Sequence, residues 1–160
     1  MTTTPQTPAK KATKAVKEKV LTKPEDDKDA GYEILLDEKA KKISPKSESH
    51  VYYKLGLHQK EKTLHLRITK NETGGLHSKD WISVSELLAI LDEYPDSPFK
   101  SLVLSGLFKG GSANNAGFLA AILRSPAIAL LVRAEKSVFN HQLAPEYSER
   151  KAKLLSLSNR

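Results

Sequence analysis

The sequence predicts an α+β fold: a small antiparallel sheet of about three strands, followed by helices and a C-terminal β-hairpin. Three observations predict it. HVYYKLGLH (50–58) and TLHLRIT (63–69) alternate apolar and polar side chains with a period of two. SVSELLAIL (83–91) places a helix-start signal ahead of an apolar run. AIALLVRAEKSVFNHQL (127–143) breaks into two short apolar runs around a polar turn, as a hairpin would.

Taken in chain order, residues 1–30 hold Thr, Pro, Ala and Lys and then the acidic PEDDKD, with too little apolar surface to offset the entropy of ordering them. They are expected to form a disordered basic tail. The folded domain is expected over 31–143. It opens with a short strand at YEILL (32–36), and DEKAKKISPKSES (37–49) reads as a polar connection. Strands follow near 50–58 and 63–70, joined by the QKEK turn. In these strands Val51, Tyr53, Leu55, Leu57, Leu64, Leu66 and Ile68 face inward, and His50, Tyr52, Lys54, His58, His65, Arg67 and Thr69 face outward.

NETGG (71–75) supplies the residues that reverse a chain, after which Trp81, Ile82 and Val84 return to the core. Ser83 stands three residues before Glu86, the spacing of a capping box, and predicts a helix over 84–93 that ends at Tyr94 and Pro95. SPFKSLVLSGLF (97–108) fits either a helix or a buried strand. KGGS is a loop, and Ser112 or the Asn114/Asn115 pair can cap a helix AGFLAAILR that stops before Pro126. Residues 144–160 are expected to be a C-terminal tail or a short helix.

The chain of 160 residues carries a formal net charge of +7 and no cysteine. Thiol catalysis, disulfides and zinc–thiolate sites are therefore excluded, and a polyanionic partner is favoured. The basic excess lies in residues 1–23 and, most strongly, in 101–160. No apolar run approaches the length of a membrane span, so no membrane partner is expected. The N-terminus lacks an apolar signal region, and the cytoplasm is the expected compartment.

No motif points to an enzyme or a cofactor. The GGS before a helix lacks the Gly-Lys-Ser/Thr of a phosphate-binding loop. His77, Ser78 and Asp80 hold the residue types of a hydrolase triad, but as neighbours in one loop they cannot adopt its geometry. His50, His58 and His65 share one sheet face without the carboxylates or helical spacing that would close a metal site.

The function expected is non-enzymatic nucleic-acid binding, to DNA rather than RNA, as a regulator or accessory DNA-handling factor. The alternative is a protein-protein interaction module with a solubilising basic tail. Three features carry the nucleic-acid expectation. The run AKKATKAVKEKV (9–20) resembles linker-histone tails in composition. Residues 84–143 follow the order of a winged helix if 98–108 is helical, which places Lys109, Ser112, Asn114 and Asn115 at the groove-facing helix entrance, where Asn can pair with adenine, and Arg133 and Lys136 in the wing. Residues 50–93 resemble, in element order and in a Gly, Lys, Trp-Ile-Ser succession before the helix, the single-stranded-DNA-binding module of the positive-cofactor-four and Whirly type. That resemblance implies single-strand binding by a homodimer, with Lys54, His65, Arg67, Lys70 and Lys79 as contacts.

Overall fold

Period-two alternation builds the first layer, because every second side chain of the paired strands falls on one face and only one face is apolar. The computed structural model describes residues 28–110 and 114–159. The expected tail, up to residue 27, and Ser112 lie outside the described residues. The elements that follow belong to one unit, Tyr32–Arg160. Strands β1 (Tyr32–Lys41), β2 (His50–His58), β3 (Leu64–Asn71) and β4 (Ile82–Ser83) form a four-stranded antiparallel meander in the order β1-β2-β3-β4. All seven residues expected to face inward are buried.

Two helices cover that inner face. Helix α1 (Val84–Leu91) lies against β3 and β4 through Val84, Leu87, Leu88 and Leu91, and begins where Ser83 Oγ accepts the Glu86 amide at 3.2 Å. Helix α2 (Asn115–Arg124) packs on β1 and β2. Between these helices the ambiguous segment resolves into both of its readings: β5 (Phe99–Lys100), then a 3₁₀ turn over Ser101–Leu107 that buries Leu104. Strands β6 (Leu131–Arg133) and β7 (Asn140–Leu143) form the expected hairpin, and β5 joins it in a second antiparallel sheet of order β5-β7-β6. Helix α3 (Tyr147–Ser156) ends the fold, tied to α1 by Tyr147 Oη and Lys151 Nζ, which donate to the two carboxylate oxygens of Asp92 at 2.7 Å each. Among the described residues no helix is long and apolar enough to cross a membrane.

Four expectations need correction. The first sheet has four strands, and β1 runs on through DEKAK because its backbone pairs with β2 whatever the side chains are. Trp81 does not enter the inner core: it lies on the opposite face of the sheet, over Gly56. The order helix, helix, turn, helix is realised only in part, since 99–107 holds a strand and a 3₁₀ turn. The Asn114 side chain accepts no capping hydrogen bond from α2, and Asn115 is already inside the helix and buried.

Glycine at position 56 is a packing requirement. A Cβ there would lie 2.8 Å from Trp81 Cη2 and 3.0 Å from Cζ3, and the indole is held in place by the Tyr32 ring stacked 4.2 Å away. Gly56→Ala is expected to lower stability by about 1 to 3 kcal/mol through overpacking, measured by denaturant unfolding; an unchanged midpoint would show that the indole does not rest on this glycine.

Candidate functional site

The outward face of the meander is where alternation places charge and rings, and the strand register orders them in rows. Lys39, Tyr52 and Lys70 stand side by side across β1, β2 and β3, and Asp37, Lys54 and Arg67 form the next row. Ile34, Gly56 and His65 follow, then Tyr32 beside His58. One end of the face is therefore rich in lysine and the other in rings. At the lysine end, the Lys70 ammonium sits 5.4 Å from the centre of the Tyr52 ring, a cation–π distance. His50 donates its backbone amide to Glu72 Oε1 at 2.7 Å, with its ring Nδ1 at 3.2 Å. That contact holds the Glu72 carboxyl below its ordinary range.

At the ring end, Tyr32 stacks on Trp81 and receives His58 and His65 edge-on, with centroids 5.1 and 5.4 Å away. Burial in this cluster holds His65 below the usual imidazole range, against the opposing pull of its hydrogen bond to the Thr63 carbonyl. Arg67 lies beneath the cluster and is only 1% exposed. Its Nε donates to the Lys79 carbonyl at 2.9 Å, and its guanidinium lies 5.8 Å from the Trp81 ring. Arg67 was expected as a nucleic-acid contact on the open face. It is instead the post on which residues 79–81 rest, because a buried guanidinium requires acceptors and rings around it.

Asn115 needs the same correction. At 2% exposed, its carboxamide accepts the Ser78 amide at 2.8 Å and donates to the Gly110 carbonyl at 3.3 Å, so no edge remains to read a base. The clip brings two predicted loci to one junction, since exposed Lys79 and Lys109 each adjoin a residue that Asn115 holds. Asn114 is exposed at the entrance of α2. Arg133 and Lys136 are exposed on the β6–β7 hairpin, in the second sheet. Of the eleven predicted residues, Lys54, His65, Arg67, Lys70 and Lys79 fall on or beside the outer face, with Arg67 buried there. Lys39 was not foreseen, because DEKAK shows no apolar alternation to mark it as strand.

Other chemistry is weaker. Buried His141 lies between Ser101 Oγ, 2.8 Å from Nε2, and Arg124 Nη1, 3.4 Å from Nδ1. An arginine only donates, so Nδ1 accepts, Nε2 carries the proton, and the imidazole donates to Ser101. That polarity is opposite to what a base activating a serine needs. In the 77–80 loop, His77 Nδ1 meets the Ser78 carbonyl at 2.8 Å and Ser78 Oγ accepts the Asp80 amide at 3.2 Å, so no triad forms. Among the described residues no three His, Asp or Glu side chains converge as metal ligands.

His141 makes a pH prediction. Burial, helped by Arg124, pushes its imidazole down to about 4, whereas the unfolded chain titrates near 6.5. The unfolded state therefore binds a proton first as pH falls, so this contribution to stability is complete above about pH 6.5 and is lost progressively toward pH 4, by at most about 3 kcal/mol. The wild type should lose more melting temperature over that interval than His141→Asn; parallel pH profiles would contradict the assignment. In comparisons with protein-family models, curated proteins and solved structures, nothing matches this chain.

Proposed function

We propose that the protein binds nucleic acid without catalysing a reaction, and that a single strand lies along the outer face of the four-stranded sheet. The observation that carries this reading is the row Lys39, Tyr52, Lys70. Neighbouring strands are about 4.8 Å apart, so a half-exposed ring is flanked on each side by a cation at the spacing of one strand. A base can stack on Tyr52 while phosphates meet the two lysines, an arrangement that tolerates any sequence because every base has a face to stack. Lys54 and Lys79 extend the cationic path, with Asp37 opposite Lys54 as the opposing charge. The run AKKATKAVKEKV (9–20), which resembles linker-histone tails in composition, favours DNA as the partner.

A winged-helix mode has the β6–β7 hairpin and its β5-β7-β6 sheet in its favour, but only part of the element order, because 99–107 holds a strand and a 3₁₀ turn. Against it, α2 buries Asn115, Ala116 and Phe118 through Leu123, so the helix that would enter a groove has no face left for one. The protein-interaction alternative draws on a separate observation, an apolar cleft of about 610 Å³ lined by Ile43, Leu102, Phe118 and Phe139, in which Leu102 and Phe139 remain exposed. It accounts for the cleft but leaves the lysine and tyrosine row without a role.

Fluorescence anisotropy of labelled single-stranded DNA across a salt series tests the reading. Tyr52→Ala should weaken binding by about 1 to 3 kcal/mol, the range for loss of one stacked base, with the salt slope unchanged. Lys70→Ala should instead lower the log–log slope by about 0.7, the value for one phosphate contact on a single strand. Wild-type affinity in both variants, with loss in Arg133→Ala or Lys136→Ala, would move the site to the hairpin.

A further inference from the structure

The loop between β3 and β4 is braced from below and bare at its tip. Among the described residues the buried polar or charged side chains are Arg67, Asn71, Asn115, Ser125 and His141, and the first three all hold this loop. Asn71 Oδ1 accepts the amide and the hydroxyl of Thr73 at 3.3 and 3.0 Å, and the Asn71 carbonyl accepts the Gly74 amide at 2.8 Å. Arg67 takes the Lys79 carbonyl and Asn115 the Ser78 amide. Gly74 sits at φ +87°, a conformation side chains resist, and a Cβ on Gly75 would come within 3.0 Å of Asn71 Nδ2. A buried polar side chain left without partners is costly, so each of these groups fixes the loop as firmly as the loop satisfies it.

What the braces present is Leu76, 81% exposed, the barest large apolar side chain among the described residues. Nothing in the described fold buries it, and covering such a side chain removes apolar surface from water at a gain. Lys70 enters the loop and Lys79 leaves it, both exposed, and Lys70 is also the outer cation of the Tyr52 row. A partner that covers the tip must therefore offer an apolar plane within reach of anionic groups on both sides.

We propose that Leu76 is an apolar wedge that packs against a nucleobase of the strand bound on the sheet face, with phosphates on Lys70 and Lys79; this rests on the nucleic-acid reading above. Inserted leucines are among the side chains that unstack neighbouring bases. Because the loop is held on both sides of the tip, at Asn71–Gly74 and at Ser78–Lys79, less chain has to be ordered for the contact to form.

The test uses the full chain, a single-stranded oligonucleotide carrying 2-aminopurine, and the variants Leu76→Ala and Tyr52→Ala. Binding by the wild type should raise the 2-aminopurine fluorescence as the base unstacks. Leu76→Ala should bind about 10-fold more weakly, keep the salt slope and melting temperature of the wild type, and give no fluorescence rise. If Leu76→Ala matches the wild type in affinity and fluorescence while Tyr52→Ala still weakens binding, the wedge is wrong and the sheet-face reading stands. If Leu76→Ala loses binding only to phosphatidylserine vesicles, the tip is a membrane contact and the wedge is likewise wrong. Failure of the wild type to bind the oligonucleotide at low salt overturns both.

Discussion

Burying the guanidinium of Arg67 on the face of the sheet that alternation turns toward solvent is the constraint from which the rest of the surface follows. A charge with almost no exposure must be surrounded by acceptors and polarisable rings, and residues 79–81 supply them through the Lys79 carbonyl and the Trp81 indole. Bringing the indole over the sheet requires a residue without a side chain beneath it, which is Gly56, and a ring to stack on it, which is Tyr32. One end of the outer face is thereby closed by rings, and the other sets exposed Lys39 and Lys70 around a half-buried Tyr52. The same anchoring fixes where the β3–β4 loop returns to the sheet.

Much of this was legible in the sequence where a single period governs. The seven inward residues of β2 and β3 follow from alternation alone, and the start of α1 follows from the Ser83–Glu86 spacing. Alternation also placed Arg67 outward, correctly as to face and wrongly as to exposure, because the cover comes from residues 12 to 14 positions further along, which no local pattern records. The second half of β1 was hidden for the opposite reason: DEKAK has only Ala40 to bury, and what makes it strand is the backbone of β2. Helix α3 has a poor apolar stripe, with only Leu154 buried. Asp92, whose carboxyl is held low by its bonds to Lys151 and Tyr147, ties it down across a separation of more than fifty residues.

The charge map also changes meaning once the chain is folded. The strongest basic excess in the sequence lies in 101–160, yet several of those cations serve the fold. Arg124 donates to the Val138 carbonyl, Lys151 pairs with Asp92, and Arg150 lies 3.7 Å from Glu146. Among the described residues no cation–π contact involves the exposed pair of the hairpin, Arg133 and Lys136, whereas the Lys70 ammonium lies over the Tyr52 ring. Net charge points to a kind of partner, and the placement of rings among the cations points to a surface. Asn115 shows the difference most plainly: chosen in the sequence for the base it could read, it acts as a clip that sets the positions of Ser78 and Gly110.

The most direct test of the account is to titrate the isotope-labelled chain with single-stranded DNA at low salt and follow the backbone amide shifts residue by residue. The account predicts that the largest changes fall at Lys39, Tyr52, Lys70, Leu76 and Lys79, with Arg133 and Lys136 little moved. Changes centred on the β6–β7 hairpin, or none anywhere, would contradict it.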